Sequence, residues 1–156
     1  RVRSSAASDV YKRQGYIVIM NTFEINGTAL RDGWGGADRF WFSLKDYKVR
    51  DAAAMAQIDR PDQISQSAYF VSIGYIPYFT VSNEEVMRAY VDTLSNPKLK
   101  TALAKIDDND YVESFWKYYN VYPQLFDGFE DFQHEYALNK AKKWCEENSI
   151  NYTVNL

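Results

Sequence analysis

The sequence has one cysteine, one histidine, four prolines and seven glycines in 156 residues, and it has no long apolar run. With Cys145 alone, no intramolecular disulfide can form and no cysteine-rich zinc site can assemble, so a reducing cytoplasm is the natural reading. The apolar runs fall far short of the roughly 18 residues that suggest a membrane span. The block at residues 16–20 is too short for a secretory signal. Few Pro and Gly, and no Ser/Gly/Pro-rich stretch between the halves, leave no internal linker. A single domain is expected.

What is present is apolar and aromatic. The chain is 46% hydrophobic and 25% charged, enough to bury a real core. Its aromatic share of 17% includes 13 Tyr, each with an apolar body and a polar tip suited to a core margin or a partner surface. Residues 1–14, with Ser4-Ser-Ala-Ala-Ser-Asp-Val-Tyr-Lys-Arg-Gln14 at their heart, resemble adapter read-through in translated environmental sequence. Residues 1–19 are therefore read as a non-native or disordered leader, Met20 as the native start, and residues 20–156 as a single α+β domain. The rival reading is a basic arm for an acidic surface. Without Arg1, Arg3, Asp9, Lys12 and Arg13 the formal charge moves from -3 to -6. An acidic domain lacks the electrostatic footprint of nucleic-acid binding, so a direct DNA or RNA partner is disfavoured.

Patterning predicts elements along the chain. Residues 40–44 read as a strand with Phe40, Phe42 and Leu44 on one face and Trp41 and Ser43 on the other. A tight turn at Lys45-Asp46 leads back through residues 47–50 as a hairpin. Residues 51–58 read as a short helix, and residues 67–73 as a third strand bounded by Gly74 and Pro77. Ser82-Asn-Glu-Glu85 is a capping box, followed by Val86, Ala89, Tyr90 and Leu94 at helical spacing. Pro97 starts the next helix, with Leu99, Leu103 and Ile106 as its stripe. Acidic residues 107–110 break that helix and favour the N-terminus of another, carrying Val112, Phe115 and Tyr119 as far as Pro123. The last helix spans residues 124–148, with Leu125, Phe129, Phe132, Tyr136, Ala141 and Trp144 as its buried stripe. The predicted fold is α+β: a small antiparallel sheet of about three strands packed against a C-terminal bundle of about four helices.

This order of elements, ending in Phe129-x-x-Phe132-x-x-x-Tyr136 and Trp144-Cys-Glu-Glu-Asn-Ser-Ile150, resembles uncharacterised protein family 0158, bacterial proteins of no established activity, over residues 40–150. The hairpin Trp41-Phe-Ser-Leu-Lys-Asp-Tyr-Lys-Val49 is similar to that family's aromatic-Leu-Asp-x-x-Thr-Gly-x-Val opening. Ile76-Pro77 and Val86-Met-Arg-Ala-Tyr-Val-Asp-Thr-Leu94 are similar to its Ile-Pro segment and following helix. One departure stands out: the family's basic Arg-Gly-Lys-Gly segment is replaced here by Asp107-Asp-Asn-Asp110. If the basic segment contacts an anion in relatives, the contact is lost or reversed in this chain. The resemblance implies a bacterial source, and because the family has no assigned catalytic residues, none carries over to this chain.

Candidate sites weigh against plainer readings. His134 and Glu130 share a helix face, but two ligands do not close a zinc site, and a lone His lacks an orienting acid and a nucleophile. Asp108-Asn-Asp110 lacks the Gly and bidentate Glu of a calcium loop, and helix capping explains it better. Gly33-Trp-Gly-Gly36 lacks the P-loop ending and the dinucleotide spacing, and reads as a turn. Cys145 reads as a small packed thiol. No catalytic, cofactor or metal residue is expected.

The helix with Tyr111, Phe115, Trp116, Tyr118, Tyr119 and Tyr122 carries aromatics around most of its circumference, so it is either buried all round or presents one side to a partner. Trp116 and Tyr118 are the candidate contact residues. The leading expectation is a non-enzymatic, cytoplasmic protein-interaction module using aromatic surface, with self-association as its simplest form and no membrane partner. The alternative is a small-molecule binder with an aromatic-lined pocket for a nucleotide-like ligand.

Overall fold

The computed structural model describes residues 21–36 and 39–156. The expected leader at residues 1–19 and the start at Met20 lie outside the described residues. Among the described residues the fold is α+β: a three-stranded antiparallel sheet, a two-stranded parallel sheet and seven α-helices, mostly in the C-terminal half. The chain divides into two compact units. One takes the described residues up to Thr80 together with Asn139–Leu156, and the other takes Val81–Leu138.

The first unit contains β1 (Phe23–Ile25), α1 (Gly27–Gly33), β2 (Phe40–Ser43), β3 (Val49–Asp51), α2 (Ala52–Ala56), α3 (Gln66–Ser72) and β4 (Tyr75–Pro77). Its antiparallel sheet has the order β3-β2-β4, with Phe42 opposite Val49 on one side and Ile76 on the other. The central strand β2 is therefore covered on both faces. Trp41 packs with Met55 and Phe70, while Phe42 meets Phe23 at 5.4 Å between ring centroids. This corrects the expected strand: Trp41, Phe42 and Ser43 are all buried, and Leu44 lies beyond the strand at 40% exposure.

The hairpin does not close in two residues. Tyr47 adopts φ 58°, in the left-handed region that favours glycine, and donates its amide to the Ser43 carbonyl at 2.8 Å. Its ring turns in against Phe42 at 5.2 Å, and its hydroxyl accepts the Asn151 amide at 3.2 Å. Those inward contacts offset the strained backbone and delay the returning strand to Val49. Arg50 forks onto Asp46 at 3.2 and 2.7 Å and holds that carboxyl well below the usual carboxylate range. The pair is solvent-exposed and adds little stability.

Residues 67–73, expected as a strand, form helix α3 instead. Ser65 caps it by accepting the Ala68 amide, and the helical turn buries Phe70 while leaving Val71 55% exposed. Gly74 at φ 101° then permits the reversal into β4, the actual third strand. A second sheet joins the ends of the described chain. β1 runs parallel to β5 (Tyr152–Val154), with Phe23 opposite Tyr152 and Ile25 opposite Val154.

The second unit contains α4 (Asn83–Thr93), α5 (Pro97–Ala104), α6 (Tyr111–Val121) and the first half of α7 (Phe129–Glu147). Ser82 and Glu85 form the reciprocal capping box of α4, and Pro97 opens α5 as expected. The acids before α6 make no side-chain cap. Helix α7 starts at Phe129, not residue 124, because Pro123–Leu125 is a 3-10 turn and Gly128 sits at φ 75°. Leu125 consequently lies off the helix. The fully buried positions of α7 include Ala141 and Cys145, with Trp144 half-buried beside them.

Gly33, the last residue of α1, is packed against Phe79 so closely that an added Cβ would collide with the ring. Gly33→Ala is expected to destabilise the protein by about 1–3 kcal/mol through overpacking. Gly27→Ala, where a Cβ meets nothing within 4 Å, is expected to be neutral or slightly stabilising. Denaturant midpoints of the two variants check both.

Candidate functional site

Helix α6 buries only one stripe, Tyr111 and Phe115. Phe115 lies within a ring cluster of the second unit, 5.0 Å from Phe126 and 4.8 Å from Phe129. Tyr90 of α4 joins that cluster and donates its hydroxyl to the Asp127 carbonyl at 2.7 Å. The two candidate contact residues sit on opposite flanks of the stripe, since positions two apart on a helix project about 160° apart. Trp116 is 37% exposed, with ring contacts to Phe115, Tyr119 and Phe129. Tyr118 is half-buried on the other flank, 6.4 Å from the Tyr122 ring. The two do not make one patch.

A contiguous patch does exist at the C-terminal end of α6. Tyr118, Val121 and Tyr122 share a side at helical spacing, and Val121 and Tyr122 are 64% and 44% exposed. Sequence reading singled out Tyr118 but passed over Val121, whose spacing from it carries the signal. Glu113 and Lys117, both exposed, form an i,i+4 pair at 3.5 Å on the adjoining surface.

The first unit carries a cleft of about 440 Å³. One wall is residues 76–80 and the other is a single face of α7 with Lys140, Lys143, Trp144, Glu147 and Asn148. The Trp144 indole N–H donates to the Pro77 carbonyl at 3.1 Å, which fixes the floor. Its ring meets Phe23, Phe42, Tyr78 and Phe79 at centroid distances of 5.8, 5.3, 5.2 and 5.7 Å. Sequence reading placed Trp144 in the core and did not see the cleft.

The remaining candidates stand apart. His134 and Glu130 are exposed on α7, and Cys145 is fully buried on the same helix. Asp108 pairs with Arg88 at 2.6 Å, and Arg88 also holds Glu84 at 2.9 Å and lies 3.9 Å above the Tyr111 ring. The acidic segment thus anchors to α4 rather than capping α6. Gly33 ends α1, and Gly36 takes φ 96° just beyond it. Among the described residues no group of three or more His, Cys, Asp and Glu side chains is placed to hold a metal ion. Among the described residues no helix is long and apolar enough to cross a membrane. No family model, curated protein or solved structure matches the chain.

Four tyrosines are held in their neutral form. Burial, reinforced by nearby acids, pushes Tyr78, Tyr90 and Tyr136 up, and burial does the same at Tyr111 against the opposing charge of Arg88. Their folded values exceed the unfolded value near 10, so their contribution to stability is complete below about pH 10 and is lost as pH rises above it. Tm is expected to hold to about pH 10 and then fall, with Tyr78→Phe removing part of the fall. A Tm series against pH, read beside tyrosinate absorbance, checks this.

Proposed function

We propose that this chain is a non-enzymatic protein-interaction module of the bacterial cytoplasm, and that its contact surface is the aromatic end of α6. The observation that carries the reading is the adjacency of Tyr118, Val121 and Tyr122, with Val121 and Tyr122 exposed. Tyr anchors supply contact area at low entropic cost, and a cluster of exposed large apolar groups on one helix end favours a partner.

A second copy of the chain is the simplest occupant. A two-fold contact places each surface against itself, and Glu113 and Lys117 beside the patch can exchange partners across such an axis. Kinship with uncharacterised protein family 0158 belongs to the same proposal and rests on the hairpin and the Trp144-to-Ile150 run. The cytoplasmic assignment rests on the single cysteine.

Light scattering coupled to size exclusion tests the reading. Wild type is expected to dimerise, and Val121→Asp with Tyr122→Ser is expected to give a folded monomer, since each new polar group opposes burial at the contact. Trp116→Ala is expected to weaken the dimer less, because Trp116 lies on the other flank of α6. A monomeric wild type at every concentration rejects self-association.

A further inference from the structure

We infer that Asn26-Gly27 is a covalent modification site, at which the Asn26 side chain loses its amide as ammonia and the junction between β1 and α1 becomes aspartate or isoaspartate. The site lies wholly within the first unit and is independent of the α6 patch.

Asn26-Gly27 is the only Asn-Gly pair in the sequence. In such a pair the deprotonated Gly27 nitrogen attacks the side-chain carbonyl carbon of Asn26, Cγ. The new N–Cγ bond closes a succinimide ring and the Cγ–Nδ2 bond breaks. Nδ2 leaves as ammonia, taking up the proton that Gly27 gave up. Water then opens the ring. Attack of water at Cγ leaves aspartate, whereas attack at the backbone carbonyl leaves isoaspartate, in which the chain runs through the side chain and gains a methylene. The net change consumes a water and releases an ammonia, with no oxidation or reduction.

The local structure leaves this pair open to the reaction. A Cβ placed on Gly27 meets nothing within 4 Å, so the neighbouring residues do not crowd the attacking nitrogen. Gly27 is the first residue of α1, where backbone amides have no partner within the helix. Asn26 itself is extended, at φ -124° and ψ -175°, outside the helical ladder. Its Oδ1 accepts the Ala29 amide at 2.9 Å, which draws electron density from Cγ and favours attack there. Helix α1 has only seven residues, a length with little stability of its own, and it opens locally at low cost. Asn148-Ser149 makes the contrast: Ser149 carries a side chain, and Asn148 Nδ2 is held by the Trp144 carbonyl at 2.9 Å at the end of the 19-residue helix α7.

The products alter the contacts of β1. Asn26 Nδ2 donates to Glu24 Oε2 at 3.0 Å, and in aspartate an oxygen replaces that donor, so two carboxylates face each other. Aspartate still caps α1, because its oxygen accepts the Ala29 amide as asparagine does. Isoaspartate lengthens the backbone directly after Ile25, whose carbonyl accepts the Asn155 amide at 3.0 Å where β1 pairs with β5. Modification therefore adds negative charge and loosens the β1–β5 ladder as the chain ages.

Peptide mapping by mass spectrometry of the full chain, kept folded in mildly alkaline buffer and sampled over time, tests the assignment. Residue 26 is expected to convert ahead of every other asparagine, giving both aspartate and isoaspartate peptides, with Tm falling as isoaspartate accumulates. Gly27→Ala, which has room for its methyl group and keeps the fold, is expected to lose the conversion over the same period. The inference is overturned if residue 26 converts no faster than Asn148, if Gly27→Ala converts as fast as wild type, or if Tm is unmoved as isoaspartate accumulates.

Discussion

The first unit depends on one side chain, Trp144. Its indole N–H reaches the Pro77 carbonyl at 3.1 Å, across 67 positions of sequence, while its ring abuts four others. Each edge-to-face aromatic pair contributes about 0.5–1.5 kcal/mol beyond area burial, and a hydrogen bond adds about 1 kcal/mol. Against a total stability of roughly 5–15 kcal/mol, such a set of contacts is a large share. It fastens α7 to the end of β4 and closes the Phe42 face of β2. The other face is closed separately by Trp41, Met55 and Phe70.

Much of the aromatic excess is thereby accounted for as core. Tyr78, Tyr90, Tyr111 and Tyr152 are buried, and their hydroxyls or rings meet specific partners: Tyr78 donates to the Ala29 carbonyl at 3.0 Å, and Tyr152 donates to Glu146 at 2.9 Å. A composition rich in Tyr reads equally well as surface or as margin, and the margin dominates here. What is left for recognition is narrower. The end of α6 offers apolar exposure, at Val121 and Tyr122.

Local chemistry was legible in the sequence, and long-range pairing was not. Ser82 with Glu85, and Pro97 after Asn96, announce helix starts because a cap is satisfied within four residues. Residues 67–73 mislead because a short, largely apolar stretch fits both periods, and Ser65, outside that window, decides for a helix. The hairpin length turns on the Tyr47 hydroxyl finding Asn151, and β5 becomes a strand only because β1 lies beside it. The same limit applies to the sites. Lys140, Lys143, Trp144 and Glu147 carry a visible helical stripe, yet the wall that makes them a cleft lies at residues 76–80. Trp116 and Tyr118 are neighbours in sequence and strangers around the helix.

Native-state hydrogen exchange of Trp144→Leu, beside its thermal unfolding, tests the dependence on Trp144 most directly. Leucine keeps an apolar body but removes the indole N–H and the ring edges. The account predicts a Tm lowered by several degrees, with faster exchange at the amides of Phe23, Ser43 and Leu44, which bond to Asn151, Lys48 and Gly74. An unchanged Tm with full protection at those amides would contradict it.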